Sequence, residues 1–285
     1  MTSRLPHWRS ILSMLLLGWM TGGSARARDA GADMEFVKRA LAAELAGVQD
    51  TQHPMRYRLR KSSPRLTTTK EIIETKDGAV ARLIAVNDKP LSTADEQKEQ
   101  SRLSALLADP GKQRHRKQSE DDDTSRVLKV VRALPDAFLY EHIGSGNGPQ
   151  GKIERFSFKP NPDFDPPDLE ISALTAMTGE IWIDAAQDRV VRLEGHLQHD
   201  VDFGWGILGR LNKGGWIVIE QADIDNRQWR IVHFQMVMSG RVLFKTRSFD
   251  TVEDQTDFAF TPGGTGYVQA IQLLRRDPNN SGASR

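Results

Sequence analysis

Residues 179–198 read GEIWIDAAQDRVVRLEGHLQ. Two β-prone runs, 180–184 and 189–203, flank a short polar link. In the second run Val191, Leu193, Gly195, Leu197, His199, Val201 and Phe203 share one face. Arg192, Glu194, His196, Gln198, Asp200 and Asp202 share the other. Alternation of this kind means a strand buried on one side only. Consecutive strands with short links pair antiparallel.

The same pattern continues on both sides. Upstream, 137–143 and 153–158 flank a glycine turn, and a proline-rich loop follows at 161–168. Downstream, 216–224, 229–238 and 242–249 are further strands separated by turn residues. Near the start, Val37, Leu41, Leu45 and Val48 recur at helical spacing within 33–48. Met55, Tyr57 and Leu59 then alternate with Arg56, Arg58 and Arg60 in a strand with one wet face. Asp77-Gly78, between β-rich 66–75 and 79–86, predicts a hairpin.

Residues 90–135 differ in character and predict a helical insertion. Ser92 with Asp95, or Thr93 with Glu96, can cap a helix that Asp109-Pro110-Gly111 stops. Residues 112–126 are dense in alternating charge, as an exposed helix or a loop would be. The expected fold is α+β: a strongly curved antiparallel sheet, a half-barrel, with helices covering its concave face.

The first 27 residues predict export. Arg4 and Arg9 precede an apolar run, 11–20, and Ala25-Arg26-Ala27 fits a cleavage site. The run is too short to cross a bilayer, which needs about 20 residues. The expected organisation is a signal peptide at 1–27, a single domain at 28–276 and a disordered tail at 277–285. The expected compartment is the periplasm or the extracellular space.

The chain holds 39 basic and 38 acidic residues, and without Arg4, Arg9 and Arg26 the basic count is 36. That balance is a poor footprint for nucleic acid. With no cysteine, disulfides, thiol catalysis and cysteine-held zinc are excluded.

Few residues suggest a reaction. Gly146-Asn147-Gly148-Pro149-Gln150-Gly151 matches a nucleotide fingerprint in letters, but a β-run follows it and Pro149 removes a donor, so it is a hairpin loop. His196, His199, Asp200 and Asp202 resemble a metal cluster, yet His196 and His199 fall on opposite strand faces. The serine-hydrolase elbow is missing. Paired carboxylates drawn from Asp184, Glu194 and Asp200 remain the enzymatic alternative. No metal or cofactor is expected.

Apolar residues on the later strands suggest binding instead. Val232, Phe234, Met236 and Met238 share a face that Val242 and Phe244 join, and Trp229, Ile231 and Val237 lie on the other. These residues either fill a core or line a cavity under a helical lid. The expected lining residues are Leu193, Phe234, Met236 and Phe244. Trp205, Ile207 and Leu208, in the glycine-rich run 202–209, are expected to cap the sheet edge or to form an apolar lip.

Four motifs resemble an uncharacterised family of exported bacterial proteins. They are FKPNPDF at 158–164, GEIWID at 179–184, DFGWGILGRLNKGG at 202–215 and GRVLFKT at 240–246. That resemblance implies no activity. More distantly, the order of elements is similar to the periplasmic lipoprotein-carrier fold of LolA and LolB. It implies acyl-chain binding in the concavity of a curved sheet. The leading expectation is a non-catalytic periplasmic protein that binds a lipid or another hydrophobic ligand. The alternatives are an envelope scaffold that binds a partner protein and a secreted hydrolase using paired carboxylates.

Overall fold

The computed structural model describes residues 30–149, 151–203, 209–226, 228–242 and 245–275. The expected signal peptide and tail lie outside them. Among the described residues the chain forms a 13-stranded antiparallel sheet and five α-helices.

The chain opens with α1 (Ala30–Gln49), β1 (Met55–Ser62), β2 (Thr67–Ile73), β3 (Val80–Val86) and β4 (Lys89–Pro90). Next come α2 (Thr93–Ala108), α3 (Pro110–Ala137), β5 (Phe138–Gly148) and β6 (Gly151–Pro160). The short α4 (Leu169–Ser172) and a 3-10 turn (Ala173–Ala176) lead into β7 (Met177–Asp184) and β8 (Arg189–Leu197). The small pair β9 (Val201–Phe203) and β10 (Gly209–Leu211) precedes β11 (Trp216–Ile224), β12 (Gln228–Val242), β13 (Lys245–Phe260) and α5 (Tyr267–Arg275).

The strand order is β4-β3-β2-β1-β13-β12-β11-β8-β7-β6-β5. This path has two ends. The sheet is neither closed nor strongly curled, which corrects the expected half-barrel. Nothing in period-two alternation sets curl; that depends on twist and bulges accumulated over many pairings.

The hairpin at Asp77-Gly78 forms as expected, with Gly78 at φ 95°, where a side chain is strained. The expected break between 238 and 242 does not occur. Ser239, Gly240 and Arg241 stay in register with Ser248, Arg247 and Thr246, so β12 and β13 form one long hairpin. Asp109-Pro110-Gly111 ends α2 and also starts α3, because the Asp109 side chain accepts from the Gly111 and Lys112 N–H groups.

Hydrophobic packing falls on opposite faces at opposite ends. On the inner face α1 sets Phe36, Val37, Ala40 and Leu41 against Phe156, Phe158, Ile181 and Ile183. At the far end α2 and α5 set Leu103, Leu106, Ile271 and Leu274 against Ile73 and Val80. Ile73 alternates with the same face as Glu71 and Thr69, whose register partners are Arg58 and Arg60. That is the outer face, so the insertion divides: α3 stays with α1, while α2 crosses to the other side.

Helix α3 bridges the ends on the inner face. Near its start, Gln113 donates to the Asp77 carbonyl at 2.9 Å and Glu120 accepts from Ala79 N–H at 2.9 Å. Near its end, Leu134 and Ala137 join the α1 cluster. Between these two anchors residues 121–127 are exposed.

Burial raises the Glu120 carboxyl above its usual value. A carboxyl raised on folding gives its stability below the unfolded pKa and loses it as pH rises through the folded one. Glu120→Gln keeps an acceptor for Ala79 without the charge. Thermal melts are expected to show a higher Tm for the variant at pH 7 and a closing difference at pH 4.

Candidate functional site

On the inner face the pairing lines apolar side chains into rows. Ile181, Leu193, Ile219 and Phe234 are successive partners across β7, β8, β11 and β12, and the row ends at Glu253 on β13. The neighbouring row is Gly179, Gly195, Ile217, Met236 and Thr251. Leu193, Ile217, Ile219, Phe234 and Met236 are half-buried. Leu193 and Ile217 pack against the α1 cluster. Glu253 is held by Lys61 at 2.7 Å, so an ion pair bounds the apolar row.

Of the residues expected from sequence, Leu193, Phe234 and Met236 thus share one face and adjacent rows. Phe244, Trp205, Ile207 and Leu208 lie outside the described residues. The neighbours of Phe234 and Met236 on β13 are Glu253 and Thr251, not the residues just beyond 241. Ile217 and Ile219 were not foreseen. Their place depends on β8 skipping β9 and β10 to pair with β11, a non-local choice. A bulge between Trp182 and Ile183 puts Val190, rather than Val191, opposite Ile183 in the core.

The outer face of β5 to β8 carries a different site, a groove of about 810 Å³. Its floor includes Arg155, Glu180, Trp182, Glu194 and His196. Arg155 lies over the Trp182 ring at 4.8 Å, and Arg192 approaches it at 5.6 Å. Glu180 accepts from Arg155 at 2.8 Å and from the Trp182 indole at 2.9 Å. Glu194 accepts from Arg192 at 2.7 Å and meets the His196 ring at 2.9 Å. Arg192 also pairs with Glu220.

Glu180 and Glu194 stand directly opposite each other. The Arg155 and then the Trp182 hydrogen bonds hold Glu180 below its usual value, and Arg192 and then His196 do the same for Glu194. Both are ionised at neutral pH. Glycoside hydrolysis by two carboxylates needs one that keeps its proton. This pair offers two bases and no acid. Asp184, Glu194 and Asp200, the acids considered from sequence, do not converge. Asp184 is buried and accepts from the Ala186 and Gln187 N–H groups, and Asp200 accepts from Arg210 and the Lys213 N–H. Asp202 is also held by Arg210, at 2.6 Å. Among the described residues no helix is long and apolar enough to cross a membrane.

No protein-family model and no curated protein matches the chain. Three solved structures show a distant similarity to the chain. A domain assigned to outer membrane lipoprotein sorting from Vibrio parahaemolyticus is 11% identical, covers 87% of this chain and 100% of its own, and has a TM-score of 0.33. A DUF1329 family protein from Desulfovibrio piger is 10% identical over 86% of this chain and 99% of its own, with a TM-score of 0.30. MucB, solved in complex with MucA(peri), is 10% identical over 80% of this chain and 94% of its own, with a TM-score of 0.22. No ligand, activity or partner transfers at these values.

Proposed function

We propose that this is an exported, non-catalytic binding protein, cleaved after residue 27, whose inner sheet face holds the apolar chain of a lipid or a similar hydrophobic ligand. The observation that carries this reading is the pair of register rows running through Leu193, Ile219 and Phe234 and through Ile217 and Met236. Phe234 and Met236 are half-buried and stand outside both hydrophobic clusters. Helix α3 is tied to the Asp77–Ala79 turn near its start and to the α1 cluster near its end. An apolar chain laid along these rows removes water from both surfaces, worth about 25 cal/mol per Å² before ordering costs.

Native mass spectrometry of the chain purified from a periplasmic extract without detergent tests this. A mass excess that extracts as lipid is expected. Binding of a dansylated fatty acid is expected to fall about tenfold in Phe234→Ala and about 100-fold in Phe234→Asp. A bare mass, together with no saturable binding of the fatty acid, overturns the reading. The lowered carboxyls of Glu180 and Glu194 lie on the opposite face, so these two substitutions leave them unchanged.

A further inference from the structure

The two ends of the sheet are finished differently. At one end β4 is two residues long and consists of Lys89 and Pro90, which blunts the edge. At the other end β5 runs for 11 residues, FLYEHIGSGNG, without lysine or proline; a bulge between His142 and Gly144 divides it, and Phe138 to His142 form the regular stretch that carries Leu139 and Glu141. Among the described residues it pairs only with β6. Its second edge therefore presents backbone N–H and C=O groups that a further strand can take.

This edge is held in place. Glu154 on β6, 2% exposed, accepts from Ser145 Oγ at 2.6 Å and meets the His142 ring at 2.6 Å, and Lys152 lies at 2.6 Å. Two of the four groups are on β5, so the strand is tied to its neighbour through a buried carboxylate. Its outer face carries Leu139, 40% exposed, and two residues on, exposed Glu141. Both also line the outer groove, which continues inward past Ser157 and Lys159 to Trp182.

We propose that β5 is a docking edge for an extended peptide segment of another protein, which joins the sheet as an added strand. Side chains two apart on that strand fall on the outer face. One lies beside Leu139 and is apolar. The next lies beside Glu141 and is lysine or arginine, because opposite charges on neighbouring strands attract and like charges repel. Lys159 is the register partner of Leu139, so the basic position belongs beside Glu141 and not beside Leu139. The long side chains have the groove to extend into. This site is on the face opposite the apolar rows and stands or falls without them.

The test uses the full mature chain and two blocked ten-residue peptides with threonine at every second position; the positions between carry valine and lysine in turn in one peptide, and valine and glutamate in turn in the other. The lysine peptide is expected to bind and to slow hydrogen exchange over residues 138–148. Methylating alternate backbone nitrogens, in whichever set faces β5, is expected to abolish that binding. Glu141→Lys, at an exposed position, is expected to shift the ratio of the two affinities about tenfold toward the glutamate peptide. Unchanged exchange over 138–148, or a peptide preference that Glu141→Lys leaves alone, overturns the proposal. So does protection of the same residues that rises with protein concentration in the absence of peptide, since a second copy is then the occupant.

Discussion

Phe156→Ala is expected to cost about 3–5 kcal/mol of folding stability, read as a lower denaturant midpoint with an unchanged slope. Phe156 is 0% exposed and is among the largest fully buried side chains. It lies on β6 opposite Ile181 of β7, its ring 5.7 Å from Phe36 of α1 and 5.2 Å from the His142 ring. The residue thus joins helix to sheet. Truncation leaves a cavity that three elements border, and a closely packed interior relaxes into such a space only in part. Phe249→Ala is the control. Phe249 is 55% exposed and is expected to change stability by less than about 0.5 kcal/mol. A small effect at Phe156 is inconsistent with the α1 cluster being the main core.

The contrast between these two phenylalanines shows what the sequence discloses and what it withholds. Alternation around Leu193 is local and holds from Arg192 to Leu197, whereas the single strand expected over 189–203 ends at Leu197 and a separate strand starts at Val201. The helix at α1, the hairpin at Gly78 and the Ser92 cap, whose hydroxyl accepts from the Asp95 N–H at 3.2 Å, also survive into the structure. Each is decided by a few adjacent residues. The charged stretch 112–126 was ambiguous, because one-turn pairs exist only once a helix exists. There Lys117 meets Asp121 at 2.8 Å and Gln118 meets Asp122 at 2.9 Å. The division of the helices between two faces was not legible at all, since it depends on where α2 lands relative to β3. There the buried guanidinium of Arg82 reaches Glu96 of α2 at 2.7 Å and the Leu274 carbonyl of α5 at 2.8 Å.

The candidate sites divide along the same line. The shared face of Leu193, Phe234 and Met236 followed from period two. The polar groove did not, because Arg155, Trp182 and Arg192 come from three strands and meet only through two registers. Trp182 looked like one more alternating residue. Glu180 and Glu194 are 14 positions apart, and nothing local predicts that they face each other. The free edge of β5 needs the complete strand order. The inner face is thus a property of segments, and the groove and the edge are properties of the pairing.

Gly179→Ala is expected to cost on the order of 3 kcal/mol, more than any ordinary surface substitution. Gly179 and Gly195 are partners across β7 and β8. A Cβ at Gly179 would overlap the Glu194 carbonyl oxygen and lie 2.7 Å from Phe158 Cζ. The first obstacle is backbone of the paired strand, so relief requires β7 and β8 to separate, and with them the Glu180–Glu194 pairing on the outer face. Gly195→Ala meets no backbone. Its new Cβ would lie 2.5 Å from the Met177 methyl, the end of a flexible side chain, and 3.5 Å from Ile217. It is expected to cost less than about 1.5 kcal/mol. Paired denaturation curves separate the two cases. If both alanines destabilise equally, the loss is one of packing volume alone. If only Gly179→Ala is severe, the glycine of the GEIWID stretch is there to let two backbones approach. Hydrogen exchange would then rise along β7 and β8 in that variant while α2 and α5, packed at the far end, stay protected.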